Sequence, residues 1–194
     1  MKHIFVIISL LCLIFTGNAQ GFRSTLNIGI PINKSTNWSS ANYDIDFLFN
    51  GKVSNNSLLG VGSSYLAVDL LQSNMYLTFD RKIFSFFSLY IYEINLSEKI
   101  KLLPQFRIGY SFVNSKLNEF VDKEQKTRGV YIAGGLYSGF DISQNIDLLA
   151  GFGYSMIFSK FETSPNIIIT DNYIKSNKNT INQFIAKIGC AYKF

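Results

Sequence analysis

The sequence predicts an all-β fold: an antiparallel, up-and-down transmembrane β-barrel of about eight strands. Three observations predict it. Thr180–Phe194, TINQFIAKIGCAYKF, alternates with a period of two, setting Phe184, Ala186, Ile188, Cys190, Tyr192 and Phe194 against Gln183, Ile185, Lys187, Gly189, Ala191 and Lys193. A strand with one oily and one wetter face sits between two phases. The chain is 47% hydrophobic and 15% aromatic, yet beyond its first residues it has no apolar run long enough for a membrane helix. The connections between alternating segments are short and long in turn, as in barrels with short turns on one side of the membrane and long loops on the other.

Met1–Ala19 reads as a cleaved signal peptide. Lys2 and His3 make a short positive start, Ile4–Phe15 is the apolar stretch, and Thr16–Ala19 is small and polar. Cys12 follows Leu11 rather than a small residue, so it is not a lipid-attachment site. Residues 20–194 then form one domain by length. Cleavage removes the only histidine, His3, and leaves one thiol, Cys190, so no internal disulfide forms. Cys190 is expected to be a small buried hydrophobe. The net charge of +5 falls by one with Lys2, and the basic residues are scattered among acids, which gives no nucleic-acid surface.

In chain order, Phe22–Ile32 sets Leu26, Ile28, Ile30 and Ile32 against Arg23, Thr25, Asn27 and Gly29, with Pro31 near its end. After the polar turn Asn33–Asn37, Trp38–Asn50 carries Tyr43, Ile45, Phe47 and Phe49 opposite Asp44 and Asp46. Gly51–Ser57 is turn chemistry. Leu58–Asp69 puts Gly60 and Gly62 opposite Leu59, Val61 and Tyr65. Leu70–Phe84 reads either as an extension of a neighbouring strand or as a short hairpin. Ser85–Leu96 sets Tyr90, Tyr92 and Ile94 against Glu93 and Asn95. Its second face also holds Phe87, Leu89 and Ile91, so its orientation stays open.

Past the tight turn Ser97–Lys99, Ile100–Val113 opposes Phe106, Ile108, Tyr110 and Phe112 to Lys101, Gln105, Arg107 and Gly109. A charged loop, Asn114–Thr127, leads to Arg128–Ile142, with Val130, Ile132, Leu136 and Phe140 on the oily face. Ser143–Asn145 is a second tight turn. Ile146–Lys160 carries Leu148, Ala150, Phe152, Tyr154, Met156 and Phe158 on one face, and Phe161–Asn179 is a long polar loop before the last strand. Similar text recurs in the hairpins, GVGSSY, FRIGYSF and GFGYSM; glycine beside outward aromatics suits a narrow, strongly curved barrel.

These features together resemble the small eight-stranded outer-membrane β-barrel family, typified by OmpX and the transmembrane domain of OmpA. The resemblance spans the mature chain and rests on alternation, loop asymmetry, the leader and the terminal Phe194, with no defining motif. It implies a bacterial outer-membrane location, contact with outer-membrane lipids, a monomer, and Phe194 as part of the signal read by the barrel-insertion machinery. It also implies a role in adhesion or envelope stability, with loops 70–84, 114–127 and 161–179 as candidate surfaces for a partner.

The mature chain has no histidine to serve as a base, no His/Cys metal cluster and no phosphate loop, so no enzyme, metal or cofactor is expected. By alternation Arg23, Asp44, Asp46, Glu93, Lys101, Arg107, Asp141 and Lys187 face the interior. Within that set Asp46, Glu93, Arg107 and Lys187 form the candidate charge network, with Glu93–Arg107 and Asp46–Lys187 as expected pairs. Such charges persist in a narrow barrel when paired. Three function classes follow: a non-enzymatic membrane barrel with a side-chain-filled interior that acts in envelope structure or through its loops, a narrow small-solute channel, or a soluble exported lipocalin-like barrel. The last would bury its aromatics inward; the missing Gly-x-Trp start and disulfides speak against it.

Overall fold

A computed structural model describes residues 21–32, 42–72, 77–118, 124–159 and 179–194. The expected leader Met1–Ala19, the expected turn Asn33–Asn37 and most of the expected loop Phe161–Asn179 lie outside the described residues. The strands are β1 (Phe22–Pro31), β2 (Tyr43–Ser54), β3 (Ser57–Gln72), β4 (Leu77–Tyr92), β5 (Ile94–Asn95), β6 (Ile100–Asn118), β7 (Glu124–Asp141), β8 (Ile146–Ser159) and β9 (Asn179–Lys193).

Neighbours pair antiparallel in the order β4-β3-β2-β1-β9-β8-β7-β6-β5, and β4 also pairs with β6, which closes the sheet. The two-residue β5 continues β4 in the same register on β6: Ile91 faces Gln105 and Ile94 faces Leu102. The gap between these ladder segments falls opposite Pro104, which has no N–H to give. Eight staves therefore close an up-and-down barrel with no free edge.

One end carries tight connections. Asn55–Asn56 is a two-residue turn, and Leu96 N donates to Ile100 O at 2.9 Å, as Ile142 N does to Ile146 O at 2.9 Å. Both ends of the barrel wall meet here, where Phe194 N donates to Phe22 O at 2.9 Å. At the opposite end the strands run further than the apolar pattern predicts. Of residues 70–84, expected to extend a neighbouring strand or to form a short hairpin within a longer connection, 70–72 continue β3 and 77–84 begin β4, so the extension reading holds for the described residues. Of the expected loop 114–127, residues 114–118 belong to β6 and 124–127 to β7, and 119–123 lie outside the described residues. At the tight-turn end, the expected turn Gly51–Ser57 shrinks to Asn55–Asn56 because β2 continues to Ser54 and β3 begins at Ser57. The physical reason is common to all three: backbone pairing continues after the oily alternation stops, so an apolar pattern marks the oily band rather than the strand.

The faces are arranged inside out relative to a soluble protein. On β1 the alternate residues Leu26, Ile28 and Ile30 are exposed, while Arg23, Thr25 and Asn27 are buried. On β9 Ile188 is 67% exposed and its neighbour Lys187 only 5%. The same holds for Phe106, Ile108, Tyr110 and Phe112 against Arg107 and Ser111. Water would not tolerate so continuous an apolar exterior. This removes the lipocalin-like alternative, which needs the opposite faces. Cys190 is likewise corrected: it is exposed on the outer face, not buried among side chains.

The interior has two unlike walls. Leu58, Leu66 and Val68 of β3, Ile83, Phe87, Leu89 and Ile91 of β4, and Leu103 and Val113 of β6 make one side apolar. Arg23, Thr25 and Asn27 of β1, Asp44, Asp46 and Asn50 of β2, Asp147 and Ser155 of β8, and Gln183 and Lys187 of β9 make the other side mainly polar, with Leu48, Ile157, Ile181 and Ile185 buried among them. The open orientation of Ser85–Leu96 resolves accordingly: Phe84, Phe86, Tyr90 and Tyr92 point out, and Phe87, Leu89, Ile91 and Glu93 point in.

Candidate functional site: the charged interior

The chemistry-bearing residues collect in two groups. The first lies deep in the barrel. Asp46 is fully buried, and a single oxygen, Oδ2, accepts from Arg107 Nη1 at 2.8 Å and Lys187 Nζ at 2.7 Å. Lys187 also pairs with Asp44, so two carboxylates face two cations. Arg107 sits on β6, whose partners are β4, β5 and β7, so its bond to Asp46 on β2 crosses the interior. Gln105 Oε1 accepts from Arg107 Nε at 3.3 Å and Nη2 at 3.2 Å. The guanidinium carbon lies 4.9 Å above the centre of the Phe87 ring. That cation–π contact holds the guanidinium against the apolar wall while its bond to Asp46 reaches the polar one.

Two glycines make these contacts possible. Gly29 stands between Asp44 and Lys187 in one cross-strand row. A Cβ there would meet Lys187 Cγ and Ile185 Cγ2 at 2.8 Å, so the bare backbone is the path along which the lysine reaches its carboxylate. Gly109 stands between Phe87 and Tyr131, whose rings stack at 5.3 Å across it. A Cβ at Gly109 would run into the Phe86 carbonyl oxygen and lie 2.7 Å from Phe87 Cβ.

The second group rings the tight-turn end. Arg23 Nη2 lies 3.0 Å from Glu93 Oε1 and 2.9 Å from Asp147 Oδ2. Lys193 Nζ lies 2.6 Å from Asp147 Oδ1 and 3.2 Å from Asp141 Oδ1, and Lys101 Nζ lies 3.1 Å from the same Asp141 oxygen. The charges alternate in sign along a chain running Glu93, Arg23, Asp147, Lys193, Asp141, Lys101. Alternation of this kind leaves no charge without an opposite neighbour.

Beside the first group is a cavity of about 10 Å³ whose lining includes Gln105, Arg107, Tyr131, Tyr137, Ser155 and Lys187. Its volume admits about one water molecule. Among the described residues no three His, Cys, Asp or Glu side chains are grouped so as to hold a metal ion.

Against known proteins, no family model matches the chain, and no curated protein sequence matches it. Solved structures do match. Neisserial surface protein A is 15% identical with a TM-score of 0.57, over 90% of this chain and 96% of that one. A major outer membrane protein from Thermus thermophilus is 9% identical with a TM-score of 0.53, over 89% and 99%. The attachment invasion locus protein Ail of Yersinia pestis, solved in complex with the heparin analogue sucrose octasulfate, is 12% identical with a TM-score of 0.51, over 91% and 99%.

The fold is that of the small outer-membrane β-barrels. At these identities the likeness is one of architecture, and the interior of this barrel is its own. Asp46, Arg107 and Lys187 of the expected network do meet. Glu93 does not meet Arg107; it pairs with Arg23 at the turn end. Asp147 was missed, although it was legible: it alternates with Ile146 and Leu148, both exposed. Lys193, on the wetter face of its strand, completes the ring that Asp147 begins. Phe194 points outward and packs edge-to-face on Tyr192 at 4.9 Å.

Proposed function

We propose that this protein is a non-enzymatic, integral outer-membrane barrel whose interior is closed by its own side chains and whose action lies at its loop end. The observation that carries this reading is the Arg107–Asp46–Lys187 contact, which spans the interior beside a cavity no larger than a water. An eight-stranded barrel is narrow to begin with, and side chains ordinarily fill it. Exposed apolar residues around every stave support residence in a bilayer, and the leader supports export to the bacterial outer membrane. With the transport path closed, what remains for other molecules is the end where β3–β4 and β6–β7 run beyond the apolar band. Complex formation between Ail, a barrel of like fold, and a heparin analogue supports a surface-binding role of this general kind.

Two measurements test the reading. The mature protein should require detergent or lipid to stay folded at high concentration; solubility without either would contradict membrane residence. Planar-bilayer recordings should show little or no steady conductance. A large, stable open level would replace the closed-interior reading with the narrow-channel alternative.

A further inference from the structure

Among the described residues of the strands, the exposed cations gather at the loop end of β4 and β7. At the tight-turn end the outward residues are apolar, among them Tyr92, Ile94, Phe140, Ile146, Tyr192 and Phe194, and the cations Arg23, Lys101 and Lys193 turn inward to the ion-pair ring. At the loop end the pattern reverses. In one cross-strand row Lys82 of β4 faces Asn114 of β6, which faces Lys126 of β7. In the next outward row toward the barrel's middle, Phe84 faces Phe112, which faces Arg128. Lys82, Lys126 and Arg128 are all exposed. Beside and below them the same three strands present Phe84, Phe86, Tyr110, Phe112 and Val130 to the outside. Asp80 lies 3.7 Å from Lys82 and offsets part of its charge, and Lys126 also has a partner within the protein.

Strands two apart are separated by roughly 10 Å, and residues two apart on a strand by about 7 Å. Three long, flexible cationic side chains within that area can close on one or two phosphates. Their setting fixes where those phosphates come from. The cations continue directly from lipid-facing aromatics, on the outside of the wall rather than at its mouth, where acyl chains would end and headgroups begin. We propose that Lys82, Lys126 and Arg128 form a binding site for the phosphate of an anionic lipid in the outer leaflet, with its acyl chains lying over Phe84, Phe86 and Phe112. The inference rests on the membrane reading above.

The test is native mass spectrometry of the full mature protein, delipidated and folded in a neutral detergent. The probes are diphosphorylated lipid A, phosphatidylglycerol, phosphatidylcholine and inorganic pyrophosphate. The phosphorylated anionic lipids should bind at least tenfold more tightly than phosphatidylcholine at low salt, with about a fivefold loss for each cation removed and most of the preference gone in the K82Q/K126Q/R128Q triple variant. The control variant K52Q/K99Q, altered at the turn end, should keep the preference. Equal preference in wild type and the triple variant would overturn the site. Displacement of lipid by pyrophosphate at matching concentrations would overturn the lipid assignment. The shift in gel mobility between unheated and heated samples reports folding in the same preparations. A protein that never enters micelles would defeat the membrane reading, whereas a folded barrel with no lipid preference would defeat this site alone.

Discussion

The two walls of the interior solve the same packing problem with opposite chemistry. On the β1–β2–β9 side, Lys187 reaches over the bare backbone of Gly29 to Asp44 and Asp46. On the β4–β6–β7 side, Phe87 and Tyr131 stack over the bare backbone of Gly109. In each case a central glycine lets the residues of the two flanking strands meet. The walls differ in what a single change leaves behind. Truncating an apolar side chain leaves a void; truncating one member of the ion group leaves a charge without its partner. The second is the harsher outcome, and unlike the first it can be undone by removing the stranded charge as well.

The largest effect should therefore come from the carboxylate shared by both cations. Asp46→Ala is expected to cost about 3–5 kcal/mol in urea unfolding from lipid vesicles, because Arg107 and Lys187 lose a common acceptor. Arg107→Met should cost a comparable amount, and adding Asp46→Asn should recover part of it. Adding Glu93→Gln instead should recover nothing and lower stability further, since Glu93 serves Arg23. Recovery by Glu93→Gln would return the pairing to the one the sequence suggested.

On the apolar wall, Leu89→Ala should cost about 2–5 kcal/mol, with no charge substitution able to rescue it. The two glycines come next. Gly29→Ala and Gly109→Ala should each cost about 1–3 kcal/mol through overpacking, read as a lower unfolding midpoint. The Gly109 change should be the larger, because its Cβ would run into the Phe86 carbonyl oxygen, whereas the nearest atoms to that of Gly29 are side-chain carbons with some freedom to move and its backbone neighbour, the Ala186 oxygen, is 3.0 Å away. Smallest of all should be Lys101→Ala, at most about 1 kcal/mol, since its contact with Asp141 is only partly buried and solvent screens it. A Lys101 effect equal to that of Arg107 would mean that the two ends of the interior are equally dry.

The contrast between the walls also explains what could be read from the sequence. Wherever a strand separates an oily exterior from the polar wall, alternation gave the orientation at once, as in β1, β2 and β9. In β4 both faces are apolar, Phe84, Phe86 and Tyr90 outside and Phe87, Leu89 and Ile91 inside, so alternation carried no orientation there. The ambiguity was the apolar wall itself. Ion pairs were less legible than inward direction. Arg107 meets Asp46 across the interior from a strand it does not hydrogen-bond, and no sequence spacing encodes that contact. Strand ends at the loop side were hidden for a different reason: backbone pairing carries β3, β4, β6 and β7 past the oily band that the pattern tracks.

The most direct test of the bridged interior is a double-mutant cycle between Arg107 and Asp46, with Arg107→Met, Asp46→Asn and the double variant unfolded reversibly in the same lipid. A direct buried contact predicts a coupling free energy of about 2 kcal/mol or more, with the double variant more stable than the two single losses would sum to. Additive losses, with a coupling within about 0.5 kcal/mol of zero, would contradict the bridge between the two walls.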